Sequence, residues 1–393
     1  MRMHSSMEDR LFRLFYNCNI YTASGPIIEN GKIFVARGKI KAVGKDIIAP
    51  EGTEQIDLGG CNLLPGFIDA HSHLGMHEEC IGAVGDDTNE DTDPLTPHLR
   101  ALDAINPLEE GFAEALAGGV TVVAAGPGSA NVIGGTFAAI KTFGRCVDEM
   151  IIKEPVAMKC AFGENPKRVY GKEHKLPSTR MGTAALLRQA LCDAQDYAKK
   201  KTLARASATL APNPKAEALI QVLEKQIPLK VHAHRADDIL TAIRIAKEFD
   251  INITIDHCTE GELIADILYR EDFPVIIGPS LTSRSKVELA NRSFKTAVIL
   301  NKKGVKTALT MDHPVTPIQH LIVCAALAIR EGMSQAEALK SITLYPAQIL
   351  GIDNLVGSIE MDKDADFVIF NKDPFDVRSK VVATYIEGRK VYG

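Results

Sequence analysis

The middle of the chain, residues 63–350, alternates short apolar runs with longer amphipathic stretches. Strands that alternate with helices in this way form parallel sheets, and eight such units favour an α/β fold of the closed (β/α)8, TIM-barrel type. A doubly wound open sheet is the alternative that the pattern leaves open. The eight apolar runs are LLPGFIDAH, VTVVAAG, GGTFAAIKTF, EPVAMKCAFG, IPLKVHAH, NITIDHC, FPVIIGP and VKTALTMD.

Both ends of the chain show a different pattern. The segment GKIFVARGKIKAVG alternates apolar and polar residues around an Arg-Gly turn, which is typical of a half-buried antiparallel strand pair. The C-terminal segment, which ends in VVATYIEGRKVYG, has the same character. We therefore predict a small β-sandwich domain built from residues 8–62 and 351–393, beside a barrel domain over residues 63–350.

Composition limits the classes of protein to consider. The 393 residues are 46% hydrophobic, enough to bury a sizeable core, and the net charge of −5 gives no electrostatic reason to bind nucleic acid. No apolar run reaches the roughly 18–20 residues that cross a membrane, and the N-terminus does not resemble a signal peptide. The eight cysteines form no CxxC motif, so we expect a reducing compartment, the cytoplasm. A homo-oligomer is only a general expectation for such barrels.

Histidines gather where the predicted strands end. Seven of the eleven lie at or just beyond the ends of the first, fifth, sixth and eighth apolar runs. They are His71, His73, His77, His232, His234, His257 and His313. Barrel enzymes carry their catalytic groups at this end of the strands, and histidines two apart on a strand share a face. The pattern predicts a metal site rather than separately buried histidines.

Carboxylates complete the predicted site. Asp312 ends the eighth run, where it can bind a metal and take a proton from bound water, although a helix N-cap is its structural alternative. A site for two metals also needs a bridging anion from the fourth run. We expect Glu164 to supply it, because Lys159 lies deeper and serves only if carboxylated.

The loops after the strands are expected to choose the substrate. Arg168, Tyr170 and Arg180 follow the fourth run, and Arg284 follows the seventh. A guanidinium group pairs with a carboxylate through two hydrogen bonds, so these loops favour a small acidic substrate. A solvated surface loop is the alternative for each of them.

The motifs LLPGFIDAHSH, VHAH, IDH and LTMDHP resemble those of the metal-dependent amidohydrolase superfamily, most closely its imidazolonepropionase-like branch. The resemblance covers nearly the whole chain, and the two ends are similar to the split β-sandwich beside such barrels. It implies one or two divalent metal ions per chain, with zinc expected.

The resemblance also implies roles for individual residues. His71 and His73 would hold one metal, and His232 and His257 the other, with His234 left for substrate contact. Asp312 would bind metal, orient the attacking hydroxide and protonate the leaving nitrogen.

The function predicted from these residues is hydrolysis of an amide C–N bond in a small carboxylate-bearing substrate, such as an N-acyl amino acid or a dipeptide. Hydrolysis of a cyclic amide, as by imidazolonepropionase, is one alternative. A deaminase with one metal is another, disfavoured because HAHRADD lacks the glutamate such members keep near the fifth strand. A barrel without catalysis is disfavoured by the complete ligand set.

Overall fold

A computed structural model of the protein describes residues 12–79, 81–204 and 210–393. Residues 8–11 of the predicted terminal domain, and Cys80, lie outside the described residues. The seven cysteines within them are free thiols. No helix in the described ranges is both long enough and apolar enough to cross a membrane.

Eight strands of the described chain form the barrel sheet, in chain order. They are β6 (Phe67–Ser72), β7 (Val120–Ala125), β8 (Ile133–Lys141), β9 (Ile151–Ala161), β10 (Leu229–Ala233), β11 (Ile253–His257), β12 (Val275–Ile277) and β13 (Thr307–Leu309). The His73 amide donates to the carbonyl of His313 at 2.9 Å, which joins the segments that follow the first and the last strand. The sheet is a nearly closed barrel of the TIM type, as predicted.

The prediction of parallel strands throughout is wrong for β8. This strand runs antiparallel to β7 and β9, and no α-helix separates the three. A parallel connection needs a crossover of about a dozen residues or more. Only residues 126–132 join β7 to β8, so the chain turns back at the end of the barrel where β7 finishes.

Helices in the described ranges pack around the barrel. They are α1 (Glu110–Ala117), α2 (Glu164–Gly171), α3 (Arg180–Ala204), α4 (Pro214–Leu223), α5 (Ala236–Phe249), α6 (Ala265–Glu271), α7 (Phe294–Lys303), α8 (Leu321–Arg330), α9 (Gln335–Ser341) and α10 (Leu344–Leu350). Local sequence sets their ends. Ser293 caps α7 by accepting from the Lys295 amide, and Gly304, at φ 94°, ends it in the left-handed region.

The remaining described strands form a second sheet from both ends of the chain. They are β1 (Phe12–Ile20), β2 (Ile28–Ala36), β3 (Lys39–Gly44), β4 (Glu54–Asp57), β5 (Asn62–Pro65), β14 (Phe367–Phe370), β15 (Val381–Ile386) and β16 (Arg389–Tyr392). Phe15 packs edge-on against Phe367 and Tyr385 in its core. The sandwich form and the boundaries of the predicted domain stay predictions.

Candidate metal centre

Six buried side chains meet at one end of the barrel, at or just past the ends of β6, β10, β11 and β13. They are His71, His73, His232, His234, His257 and Asp312, none more than 9% exposed. Within the described residues they form two groups, and in each group the donor atoms lie within 4.8 Å of one another. The structure thus brings the predicted histidines and Asp312 together.

The first group consists of His71, His73 and Asp312. The Oδ1 atom of Asp312 lies 3.4 Å from Nε2 of His71 and 3.3 Å from Nε2 of His73. Two donors bound to one tetrahedral ion at about 2.0–2.1 Å lie about 3.3–3.4 Å apart. The same Oδ1 atom is buried and has no hydrogen-bond partner among the described residues. The spacing and the unpaired oxygen both fit a metal ion.

The second group consists of His232, His234 and His257. Nε2 of His234 and of His257 is buried and has no hydrogen-bond partner in the described chain. Burial lowers the pKa of His257 to about 3, and it also lowers the pKa of the other two well below the ordinary value. Neutral imidazoles keep the lone pair that binds a metal. His234, assigned from the sequence to substrate contact, therefore lies among the candidate ligands.

Backbone carbonyls fix which nitrogen of two histidines faces the site. Nδ1 of His73 lies 2.6 Å from the carbonyl oxygen of Gly126, and Nδ1 of His257 lies 2.7 Å from that of Gly278. A carbonyl only accepts, so each Nδ1 carries the hydrogen and each Nε2 offers its lone pair. A side chain at Gly126 would place its Cβ 2.2 Å from the ring of Phe137, which explains the glycine there.

His71 is held by a buried ion pair. Its Nδ1 lies 2.7 Å from Oδ2 of Asp256, whose Oδ1 accepts from Lys230 Nζ at 3.0 Å. Burial alone would raise the pKa of Asp256, but Lys230 and His71 outweigh it and lower that pKa. A carboxylate behind a ligating histidine sets its orientation and makes it a better ligand. Neither Asp256 nor Lys230 was predicted, since nothing in their spacing separates them from ordinary strand residues.

The backbone is strained at two of the candidate ligands. His257 has φ 69° and Asp312 has φ 54°, both in the left-handed region that non-glycine residues rarely adopt. Asp69 holds the turn before Asp312, because its carboxylate accepts from Thr310 Oγ1 at 2.6 Å and from the Met311 amide at 3.0 Å. Strain of this kind gathers at functional sites, where the surrounding structure maintains it.

The two candidate bridging residues are placed very differently. Lys159 is fully buried on β9, and its Nζ lies 3.3 Å from Nε2 of His71. Burial lowers its pKa to about 8. Glu164 follows Gly163, whose φ of 83° turns the chain into α2, and its Oε2 lies 3.4 Å from the Glu288 amide. Glu164 is not among the residues that line the cavity.

Both groups open into a cavity of about 400 Å³, which Lys159 and the loop residues Gly128 and Ser129 also line. Of the residues predicted to bind substrate, the cavity lining includes His234 and the exposed Arg168. A groove of about 680 Å³ beside α3 and α4 is larger, but its lining contains no member of either group.

Three predicted substrate residues have partners elsewhere. Tyr170 is buried and donates to Oδ1 of Asn131 at 2.5 Å. Arg180 donates to the carboxylate of Asp238 at 2.9 Å, and Arg284 donates to the carbonyl oxygen of Ala290 at 2.9 Å.

The loop after β12 brings in residues that the sequence did not single out. Glu288 is buried, and its Oε1 lies 3.6 Å from Nε2 of His234 and 2.7 Å from Nζ of Lys286. Lys286 and Asn165 line the cavity. The sequence hint of this contact was a lysine and a glutamate two residues apart on one loop. Such pairs are common on protein surfaces, so the hint does not indicate a site.

Comparison with known proteins agrees with this geometry. The amidohydrolase family profile matches residues 62–391. The crystal structure of an amidohydrolase from Thermotoga maritima is 46% identical, with a TM-score of 0.94 over 96% of this chain and 99% of that one. The amidohydrolase tasK of Hapsidospora irregularis is 30% identical over 91% of this chain, which spans 39% of the length of tasK. The imidazolonepropionase of Pseudomonas fluorescens is 24% identical, covering 92% of this chain and 93% of that protein.

The chain belongs to the amidohydrolase family. The predicted resemblance to metal-dependent amidohydrolases of the imidazolonepropionase-like branch is thereby confirmed, as is the prediction of an enzyme, a hydrolase.

Proposed function

We propose that this protein is a zinc-dependent hydrolase that cleaves the amide bond of a small carboxylate-bearing substrate, such as an N-acyl amino acid or a dipeptide. The observation that carries the proposal is the pair of buried ligand groups facing one cavity, with nitrogen and oxygen atoms left unpaired. Imidazole and carboxylate donors suit zinc.

Two ions fit the residues present. The first would be held by His71, His73 and Asp312, and the second by His232 and His257 with His234 as a further donor. When bound, zinc lowers the pKa of a coordinated water towards about 7 and polarises the amide carbonyl.

Lys159 is the better bridging candidate, because its Nζ lies in the cavity beside His71 while Glu164 faces the Glu288 amide. Loss of one proton from its ammonium group gives the neutral amine. Attack of that amine on CO2 forms an N–C bond and releases a second proton, so that a carbamate anion replaces the cation. This change would supply the anion that two metals need between them. Lys230 would then remain as the buried cation that balances Asp256.

Asp312 is the residue placed to move protons. Its carboxylate is held ionised, because His71 and His73 outweigh burial and keep its pKa well below the ordinary value. It would orient the attacking water, accept its proton and deliver that proton to the leaving nitrogen.

The position of Glu288 favours one further candidate function, a deaminase with one metal. Deaminase relatives with one metal keep a glutamate near the fifth strand, and Glu288 lies 3.6 Å from His234. The ammonium of Lys286, 2.7 Å away, already neutralises this carboxylate, so amide hydrolysis remains the first proposal. A cyclic amide is the second substrate class to assay.

Cellular location, oligomeric state and the form of the terminal domain are also proposals. We place the protein in the cytoplasm, where its free thiols stay reduced, acting on a small molecule and forming a homo-oligomer. The sheet from both termini is proposed to form the β-sandwich domain of residues 8–62 and 351–393.

The test is turnover by zinc-loaded protein on a panel of N-acetyl amino acids and dipeptides, with cyclic amides and aminopurines alongside. We expect cleavage of the first two classes. Lys159→Met should lower both the zinc content and the rate, while the matched change Glu164→Gln should lower neither. Turnover of the cyclic amides or aminopurines alone would replace the proposal.

A further inference from the structure

One wall of the cavity carries positive charge from the loop after β12. The cavity lining holds Lys286 and Arg168, and Asp312 is the one acidic side chain among its described lining residues. Because Asp312 belongs to the ligand groups, the charged side chains of the lining away from them are Lys286, which is paired with Glu288 behind it, and the exposed Arg168, which supplies the net positive charge. A cavity with this charge favours a substrate that brings a negative group.

Lys286 is held firmly in that wall. Its Nζ lies 2.7 Å from Oε1 of Glu288 and 3.5 Å from Oδ1 of Asn165, and its side chain is only 17% exposed. Glu288 is fixed in turn, because its Oε2 accepts from the Glu164 amide at 3.1 Å. The contact with Glu288 is an ion pair, since Oε1 of Glu288 has no hydrogen-bond partner among the described residues. An ammonium group has three donors, and its one hydrogen bond within the described chain, to Asn165, leaves capacity for a ligand in the cavity.

The Lys286 ammonium lies close to the second ligand group. Oε1 of Glu288 contacts both Lys286 Nζ, at 2.7 Å, and His234 Nε2, at 3.6 Å. The ammonium therefore lies no farther from His234 than these two distances laid end to end. A negative group bound to Lys286 would therefore lie close to the second ligand group.

We propose that Lys286, positioned by Glu288 and Asn165, binds the α-carboxylate of the substrate and so selects amides of α-amino acids. The inference rests on the proposed amide hydrolysis and assigns its specificity. In these substrates one carbon separates the carboxylate from the amide nitrogen, which suits the short distance between Lys286 and His234. Substrates with longer spacers would place the carboxylate beyond the ammonium.

The test compares kcat/KM for the best acid of the panel with that for its C-terminal amide and for the homologue with one extra methylene. Wild-type enzyme should favour the acid over the amide by roughly 10- to 100-fold, the usual effect of one hydrogen bond between charged groups. Lys286→Met should bring that ratio near one while retaining amide turnover. Lys286→Arg should keep much of the preference, and Lys172→Met, outside the cavity lining, should keep all of it.

Each outcome decides the matter. An unchanged ratio in Lys286→Met, or loss of the ratio in Arg168→Met instead, would overturn the assignment while the hydrolase stands. If Lys286→Met fails to fold, the double variant with Glu288→Gln removes the unpaired carboxylate and takes its place. No turnover of acids or amides by the zinc-loaded wild type would overturn the proposed function itself, and the assignment with it.

Discussion

Two clusters of buried charged groups lie at opposite ends of the barrel, and they differ in how their atoms are paired. At the far end of β8, Lys141 donates to Asp364 at 2.8 Å and to Asp366 at 2.5 Å, linking the barrel to the terminal sheet. Asp366 also accepts from the Glu387 amide. At the other end, His234, His257 and Asp312 each keep a buried atom with no hydrogen-bond partner among the described residues.

The difference separates structural from functional polar groups. A buried polar atom without a partner costs about 1–3 kcal/mol, so a cluster that only stabilises the fold should leave few of them. The Lys141 cluster follows this expectation. The candidate metal centre does not, because three of its ligand side chains keep an unpaired buried atom where imidazoles and a carboxylate share a spacing suited to an ion.

The largest expected effect is on catalysis. Asp312→Asn keeps the size of the side chain but removes its charge, so kcat should fall about 10²- to 10⁴-fold. Circular dichroism and thermal unfolding should show a folded protein. Asp193→Asn, on the exposed face of α3, is the matched control and should retain full activity. A folded Asp312→Asn variant with normal kcat would contradict the assigned role.

Breaking the other cluster should affect stability and spare the chemistry. Lys141→Met leaves Asp366 buried without its cationic partner, while Asp364 keeps its ion pair with Lys39, so the free energy of unfolding should fall by about 3–5 kcal/mol. Urea denaturation measures this loss. Lys199→Met removes an exposed ion pair with Asp196 and should change stability by less than about 1 kcal/mol. Equal effects of the two variants would show that the Lys141 cluster is not structural.

Metal removal should lower the stability of the wild type and of Lys141→Met by the same amount. An ion that binds only the folded protein stabilises it by about 2.7 kcal/mol at a hundredfold excess over its Kd. Chelation should therefore lower the melting temperature, and zinc should restore it. In Lys141→Met the same increment should appear on a lower baseline, since the two clusters lie at opposite ends of the barrel. A melting temperature that ignores both chelator and zinc would argue against a metal in the centre.

The smallest expected effect is the response of the Lys141 cluster to alkali. Burial would lower the pKa of Lys141, but Asp366 and Asp364 outweigh it and raise that pKa above 10.5. The folded state then holds this proton more tightly, so the stabilisation is complete below the unfolded pKa and is lost as pH rises through the folded one. Above about pH 10.5, wild-type stability should fall more steeply than that of Lys141→Met, by up to about 1.4 kcal/mol per pH unit. Parallel slopes would contradict the pairing.

The sequence predicted the parts of the site that follow from strand periodicity. His71 and His73 share a face because they are two residues apart, and barrel strands bring His232, His257 and Asp312 to the same end. The placement of Glu164 was harder to predict, since the turn at Gly163 before it depends on backbone dihedrals and its contact with the Glu288 amide joins distant segments. The contact of Glu288 with His234 joins two loops far apart in the chain. No local pattern reports such a contact.

For the fold, the sequence predicted the positions of the barrel strands but not the direction of each one. Each of the eight apolar runs contains one barrel strand, because buried strands need continuous apolar residues whichever way they run, although the first run also contains the end of β5 from the terminal sheet. Periodicity carries no information on direction, and the length of the connection between β7 and β8 was the clue to the antiparallel strand.

The most direct test of the central claim is the metal content per chain, measured by elemental analysis on protein purified without added metal or chelator and again after reconstitution with zinc. The two ligand groups predict a value near two for the wild type, falling in Lys159→Met and unchanged in Glu164→Gln. A value near one would contradict the bridged pair of ions. A value near zero after reconstitution would contradict the metal centre altogether.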